Sequence, residues 1–433
     1  MLPSSAPSLP ASASVVVAGG GPGGFMAAIA AAEAGVRDVH ILEATPEPLH
    51  KVLISGGGRC NVTHACWDPR ALAGHYPRGT RALRGPFSRF AAGDAVGWFD
   101  DHGLELVQEA DGRMFPRANR STAVIEVLRR AAANAGVTLH TGVALKDAAV
   151  LPEGGFRLGL RVSGAEHAAC SAPITCQRLV LATGSHPSGR RLAAQLGHGL
   201  VPPVPSLFTL ALAKESLGEL AGLVVDPVEL ELQVPPAEAG GLVERFRQVG
   251  PLLITHWGMS GPATLRLTAF AARALHAASY KVELTVRWSG GKDRAQLDAL
   301  FTEARREQAR RQLANWRPWP ELPRRLWLYL LAQAGVDPSL RWADLSKAGQ
   351  RQLVDALLGS RYRVSGRGPF GEEFVTAGGI PLGEVNLATM ESRHCPGLHL
   401  VGELLDVDGI TGGFNFQHCW TSGWLAGQAL ATI

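Results

Sequence analysis

Three glycine-rich stretches hold the residues of this chain that could do chemistry. The first is Gly19-Gly20-Gly21-Pro22-Gly23-Gly24, preceded by the apolar run Val15 to Ala18 and followed by an Ala-rich stretch to about Ala34. Gly19, Gly21 and Gly24 fit G-x-G-x-x-G between a strand and a helix. The first glycine permits a tight turn and the second lets backbone approach a pyrophosphate. The third lets helix and strand pack closely, with phosphate at the positive helix N-terminus. Glu43 closes the short strand Val39 to Leu42, about 20 residues beyond Gly24, where a carboxylate accepts ribose hydroxyls and disfavours a 2′-phosphate. Together these features predict dinucleotide binding.

The second stretch runs from Lys51 to Thr63, with Ser55, Gly56, Gly57, Gly58, Arg59, Cys60 and Asn61 at its centre. Three successive glycines let backbone pass very near a flat ligand. Lys51 and Arg59 could meet phosphate or a developing flavin anion. The third stretch leads from Gly402, Glu403 and Asp406 into Gly412, Gly413, Phe414, Asn415 and Gln417. A helix starting near Asn415 would turn backbone N–H groups toward negative charge on the N1–C2=O edge of a reduced flavin, as an oxyanion hole does. Asp406 suits a ribityl hydroxyl or the ordering of the loop. One lobe for a pyrophosphate and another for an isoalloxazine ring, at opposite ends of the sequence, predict one FAD domain with an insert.

The intervening elements suit that plan. Residues 44–120 read as loop-rich, and Ser121 reads as the N-cap of a helix to Asn134. Leu179 to Ala182, before Thr183-Gly184, reads as a buried parallel strand, as does Leu398 to Val401. Leu207 to Leu212, Val228 to Val234 and Lys281 to Trp288 alternate or are β-rich, which predicts an antiparallel β domain. From Asp293 to Gly359 the pattern turns helical. The expected division is a disordered tail (1–13), an FAD-binding domain (14–188 and 375–433), an inserted β domain (189–292 and 360–374) and a helical subdomain (293–359).

Composition agrees with an ordinary globular protein: 433 residues, 46% hydrophobic, 18% charged, and a net charge of +4 too small to imply nucleic acid or an anionic membrane. Six scattered cysteines show neither metal-ligand spacing nor a disulfide framework, so no metal and a reducing, cytoplasmic setting are expected. No run approaches the roughly 18 apolar residues of a membrane span.

Ser55 to Thr63, Thr255 to Pro262, Thr376 to Ile380, Met390 to Arg393 and Gly402 to Gln417 resemble the YhiN-like flavoprotein family, a group of NAD(P)/FAD-dependent oxidoreductases also labelled amine-oxidase-like. The resemblance implies an α/β, Rossmann-like FAD domain built from both chain ends. Its insert would be an antiparallel, barrel-like β domain with a nested helical subdomain. It also implies cofactor contacts at Gly19, Gly21, Gly23, Gly24, Glu43, Lys51, Ser55 to Asn61, Ala182, Thr183, Gly184, Gly402, Glu403, Asp406, Gly412, Gly413, Phe414, Asn415 and Gln417. Family members often carry Asn where this chain has His64 and Tyr where it has Phe414.

A second strand–GxGxxG–helix unit is absent from the sequence: Gly378-Gly379 lacks the third glycine and a following helix. NADH or NADPH would therefore reduce a non-covalent FAD from a shared or transient site. Candidates for substrate chemistry are His256 and Ser260, beside Trp257, and Arg113, which with Arg117 and Arg120 could bind an anion. Their structural alternatives are a strand-to-helix junction with an N-capping serine and a solvated basic loop. Cys60 is a redox candidate without a Cys-x-x-Cys partner, which favours packing. The leading expectation is an FAD-dependent oxidoreductase passing electrons from NAD(P)H to a small unsaturated or carbonyl-containing molecule. An amine-type oxidase using O₂ shares the same motifs. A flavin-containing RNA-binding or RNA-modifying protein would draw on Arg305, Arg306, Arg310, Arg311, Arg324 and Arg325 with Trp316, Trp319 and Trp327.

Overall fold

The computed structural model describes residues 9–163, 170–213, 216–236, 242–368 and 375–432. The first eight residues of the expected tail and residues 369–374 of the expected β domain lie outside them, and the leading strand already begins at Ser12. The chain forms two units, residues 1–203 with 376–433, and residues 204–375.

The first unit is built on a nine-stranded sheet. Its leading strand, Ser12–Ala18, lies between Val39–Glu43 and Cys170–Leu181, parallel to both, and Thr138–Thr141 and Leu398–Leu400 extend the parallel ladder on either side. Val15, Val16 and Val17 are buried, the continuous apolar reading of a strand covered on both faces. Because the chain goes one way from the leading strand to Val39–Glu43 and the other way to Cys170–Leu181, the strand order reverses there. A crevice at such a switch point, beyond the carboxyl ends of the strands, is where doubly wound sheets take ligands.

The leading helix Pro22–Glu33 begins with Pro at its first turn, where no N–H is needed, and is buried along nearly its whole length. Its alanines admit close packing by the closing helix Phe414–Leu430. A Cβ on Gly423 would lie 2.6 Å from the Gly23 carbonyl oxygen, and one on Gly427 2.6 Å from the Ala30 Cβ. Trp420, fully buried, adds a hydrogen bond to the Val62 carbonyl at 2.9 Å.

The stretch 44–120 contains more structure than its glycines and prolines suggest, including the helix Ala92–Asp101 and a three-stranded sheet of Thr63–His64, Arg113–Pro116 and Leu106–Gln108. The helix Ser121–Asn134 has the expected bounds, but Arg120 occupies the cap position, while the Ser121 hydroxyl donates to the Leu53 carbonyl at 2.7 Å.

In the second unit six antiparallel strands close a barrel in the order Leu210–Leu212, Gly258–Ser260, Glu244–Ile254, Val224–Val234, Glu283–Arg287, Ser360–Arg367. Val228, Leu230, Leu232 and Val234 point inward at every second position, each worth about 1.5–3 kcal/mol of burial. Helices Arg294–Glu307, Arg324–Gln333 and Lys347–Gly359 are nested between two neighbouring barrel strands. Trp327 and Trp342 are fully buried with Phe301, Trp319 is nearly so, and Trp316 packs edge-on against Trp342. The tryptophans considered for stacking bases therefore build the helical core. Among the described residues no helix is long and apolar enough to cross a membrane.

Candidate active site

The glycine turn sits where Ala18 ends the leading strand. A Cβ on Gly19, at φ +117°, would lie 2.4 Å from the Ala182 carbonyl oxygen, and one on Gly24 2.0 Å from the Gly19 carbonyl oxygen. Those two glycines are demanded by packing of the protein on itself. Gly21 is different: its backbone is extended (φ −88°, ψ −177°), and a Cβ there would meet nothing within 4 Å. The turn thus leaves a cradle at its second glycine, at the N-terminus of a helix with no side-chain cap and no acidic residue in its first turn. Thr183, next to the turn, has a buried hydroxyl without a hydrogen-bond partner, packed against Gly189 of the helix Pro187–Gln195. A pyrophosphate-bearing dinucleotide such as FAD fits these features.

Glu43 is bound into the turn itself. One carboxylate oxygen accepts the Gly20 N–H at 2.8 Å, and the other accepts the Thr45 N–H at 2.8 Å and hydroxyl at 2.7 Å. Its lone pairs outside these bonds are those left for a ribose. Lys51 Nζ lies 2.5 Å from a Glu403 oxygen and 3.3 Å from the Ser185 hydroxyl, joining the second and third glycine stretches beside Gly184 (φ +59°). Gly23 packs 3.5 Å, measured from its would-be Cβ, from Val401.

In the second stretch Gly56, Gly57, Gly58 and Cys60 all have positive φ, and the Gly57 and Gly58 positions open onto free space. Ser55 closes this turn by accepting the Gly58 and Cys60 N–H groups on its carbonyl. Arg59 is held at 2.7 Å to Glu109, with its guanidinium 4.0 Å above the Phe115 ring. Cys60 is fully buried, and burial pushes its thiol up to about 12, so it stays protonated and unreactive at neutral pH. The Asn61 amide, oriented to satisfy its surroundings, donates to the Thr63 carbonyl at 2.8 Å and accepts the Gly413 N–H at 3.0 Å.

The closing loop is fixed from several directions. Arg78 forms a forked ion pair with Asp408, whose side chain is wholly buried. Asn415 clamps Gly409 with a bond to its N–H at 2.8 Å and one from its own amide to the carbonyl at 3.0 Å. The Asp406 N–H donates to the Ile380 carbonyl at 2.9 Å, ordering the loop at that point. Gln417 is fully buried between the Thr63 hydroxyl (2.6 Å) and the Thr421 hydroxyl (3.1 Å). Phe414 stacks against both His64 and His75, with ring centroids 4.9 and 4.3 Å away and the two imidazoles 6.1 Å from each other, and its carbonyl accepts the Tyr76 hydroxyl at 2.5 Å. Burial lowers the His64 pKa against the opposing pull of the Asp111 carbonyl, keeping the ring neutral at pH 7. Gly412 and Gly413 have φ +126° and +89°, and the helix behind them has no acidic residue in its first turn. Gly402 (φ +67°) donates its N–H to the Ser422 hydroxyl at 3.0 Å.

The sequence pattern missed Thr63, His75, Tyr76, Arg78 and Asp408 as builders of this site; their partners lie over three hundred positions away, and only the tertiary fold joins them. Arg113 is engaged by Glu109 (2.8 Å) and Asp111 (2.7 Å), and Arg117 and Arg120 by Glu105 and Glu126. In the other unit His256 is exposed, the Ser260 hydroxyl accepts that of Thr209 at 2.9 Å, and the cap of the helix Pro262–Phe270 is Gly261 rather than Ser260.

A parallel sheet reversing beside its first strand, with a glycine turn and helix N-terminus at the switch point, defines a dinucleotide-binding flavoenzyme fold. Residues 13–429 match the HI0933-like protein Rossmann domain, and the chain belongs to that family, which agrees with the YhiN-like resemblance of its motifs. It is an FAD-dependent oxidoreductase. Among its relatives, the 3-dehydro-bile acid delta(4,6)-reductase of Clostridium scindens is 30% identical over 426 residues, covering 96% of this chain and 98% of that protein. The ribosomal RNA dihydrouridine synthase of Escherichia coli is 28% identical over 433 residues, covering 96% and 97%. The 3-ketosteroid delta1-dehydrogenase of Sterolibacterium denitrificans shares the fold, with a TM-score of 0.50 at 12% identity over 98% of this chain and 100% of that one.

Proposed function

We propose that this protein reduces a carbon–carbon double bond conjugated to a carbonyl in a small organic molecule, with NADH or NADPH as electron donor. The observation that carries the reading is the pair of relatives matched along almost their whole length. By name, one reduces a steroid acid in which the double bonds conjugate with a ketone, and the other saturates the uracil ring beside its carbonyl. Two unlike acceptors share one reaction. Bound non-covalently, FAD would supply the hydride for the carbon β to the carbonyl.

The chain's own part is binding and electrostatics. Gly19 to Gly24 and the leading helix would hold the pyrophosphate, and Glu43 and Lys51 the groups on either side. Gly412 and the N-terminus of the closing helix would favour negative charge at the far end of the cofactor, because that helix end carries a positive dipole with no acid against it, while the Gly413 N–H is already donated to Asn61. The Arg78–Asp408 pair and the Asn415 clamp keep those N–H groups in place without reorganisation.

The test is anaerobic. NADH or NADPH should bleach the yellow FAD-loaded protein, and a 3-oxo-4,6-diene steroid acid or a simpler cyclic enone should restore the colour with one equivalent of reduced product. Protein that no nicotinamide bleaches, or whose colour returns only with O₂, would move the reading to the oxidase. A second reading takes the uracil of an RNA as acceptor. Its support within this chain is an arginine face: the backbone pairs Ala309 and Arg311 with Ala343 and Trp342, which gathers exposed Arg310, Arg311 and Arg341. Recolouring by a ribosomal RNA transcript, suppressed by salt and by charge reversal of those arginines, would favour it.

A further inference from the structure

We propose a zinc-type metal site, separate from the cofactor crevice, formed by His198, Glu384 and His394 in the first unit. His198 follows the helix Pro187–Gln195, Glu384 ends the 3₁₀ turn Leu382–Glu384, and His394 follows the strand Glu391–Ser392, which lies next to the edge strand Val385–Asn386. One ligand atom from each falls within 4.8 Å of the other two. The Nδ1 of His198 is 2.8 Å from a Glu384 oxygen, and the Nε2 of His394 is 3.7 Å from that same oxygen. Bonds of 2.0–2.2 Å to a tetrahedral ion separate neighbouring donors by about 3.3 Å. The observed separations bracket that value, so small side-chain shifts would seat an ion.

The surroundings match what a ligand set needs. The His198 side chain is wholly buried and its other nitrogen is held 2.8 Å from the Ser392 hydroxyl, which fixes the ring with Nδ1 toward Glu384. With both lone pairs of the Ser392 hydroxyl filled by backbone N–H groups, its O–H donates to Nε2 and the ring carries its proton on Nδ1, facing Glu384. An ion would displace that proton and move the ring's N–H to Nε2, at the expense of one of the backbone bonds to Ser392. Ser392 is itself positioned by the N–H groups of His394 and Cys395, at 3.0 and 2.8 Å. Glu384 is steadied by the Gly199 N–H, 3.0 Å from its nearer oxygen. Two imidazoles and a carboxylate select a borderline ion such as Zn²⁺ over Mg²⁺ or Ca²⁺. His394 is half exposed, which leaves the fourth position to water. The ion would tie the sheet's edge hairpin to the segment after Pro187–Gln195. No spacing in the sequence links positions 198, 384 and 394, which is why the cysteine-based expectation of no metal could not register them.

The test uses untagged, chelator-washed, FAD-loaded protein. Equilibrium dialysis should find one Zn²⁺ per chain, and Co²⁺ in its place should give the intense visible absorption of a tetrahedral ion. Exposed His394→Ala and half-buried Glu384→Gln should each weaken Zn²⁺ at least tenfold with FAD content unchanged, while His50→Ala leaves it intact. Absence of stoichiometric metal, or binding indifferent to both substitutions, would overturn the site. Neither result bears on the reductase reading, because FAD content is read in the same samples.

Discussion

Replacing Gly21 with valine separates the needs of the fold from those of the cofactor. The backbone there is extended, a conformation that β-branched residues favour, and no protein atom lies within 4 Å of the added Cβ. Stability of the flavin-free protein should therefore change by no more than about 0.5 kcal/mol. The branched side chain would instead fill the cradle at the helix N-terminus and push a pyrophosphate off its N–H donors. Two charge-assisted hydrogen bonds at about 1.5–3 kcal/mol each come to roughly 3–6 kcal/mol, or 10²- to 10⁴-fold in Kd. The assay is titration of deflavinated protein with FAD, followed by quenching of flavin fluorescence, beside a urea melt of the same sample. Gly24→Ala supplies the contrast: its Cβ would lie 2.0 Å from a backbone oxygen, so it should destabilise the flavin-free protein by about 1–3 kcal/mol or more. A folded Gly21→Val protein that binds FAD within threefold of the parent would refute the placement of pyrophosphate at this turn.

Arg78→Ala should destabilise the protein by about 3–5 kcal/mol by stranding the buried Asp408 carboxylate, read by denaturant unfolding; a loss below 1 kcal/mol would mean that water reaches that carboxylate. Burial lowers the His418 pKa from 6.5 to about 4, so the neutral ring's contribution is complete above pH 6.5 and drains away as pH falls toward 4. Stability should drop by about 2 kcal/mol between pH 7.5 and 5 from this residue, and His418→Gln should flatten that slope; an unchanged slope would assign it to other groups. Cys60, Cys176 and Cys419 are buried with thiols pushed up to about 12, so iodoacetamide at pH 8 should modify half-exposed Cys66 before any of them, as peptide mapping would report.

What the sequence made legible is what is local. Val15 to Gly24 could be read because strand, turn and helix follow one another within a dozen residues, and Val228 to Val234 because burial alternates along one barrel strand. The helix Ala92–Asp101 was hidden by Gly93 and Gly97, poor helix formers whose cost is met by tertiary burial of Trp98 and Phe99. Ser121 looked like a cap because its type suits one, yet the backbone bends one residue earlier and leaves its hydroxyl for Leu53. In the site, the glycines were visible and their supports were not. Thr63 and Gln417 close two of the glycine-rich stretches and Phe414 stands in one of them, but nothing in the sequence pairs Thr63 with Gln417, Arg78 with Asp408, or His64 and His75 with Phe414.

The packing of Pro22–Glu33 against Phe414–Leu430 sets a timetable for synthesis. A ribosome adding 5–20 residues per second delivers Gly413 roughly 20–80 s after Gly24, with the whole barrel and its helices made in between. During that interval the alanine-rich leading helix lacks the partner whose Gly423 and Gly427 it is shaped to receive. All six barrel strands are made before that helix emerges, whereas the flavin-binding half still lacks the strand Leu398–Leu400 and the closing helix. Nascent chains of this protein should therefore lean on chaperones through their first segment until the last helix emerges, and FAD should be captured only after it has.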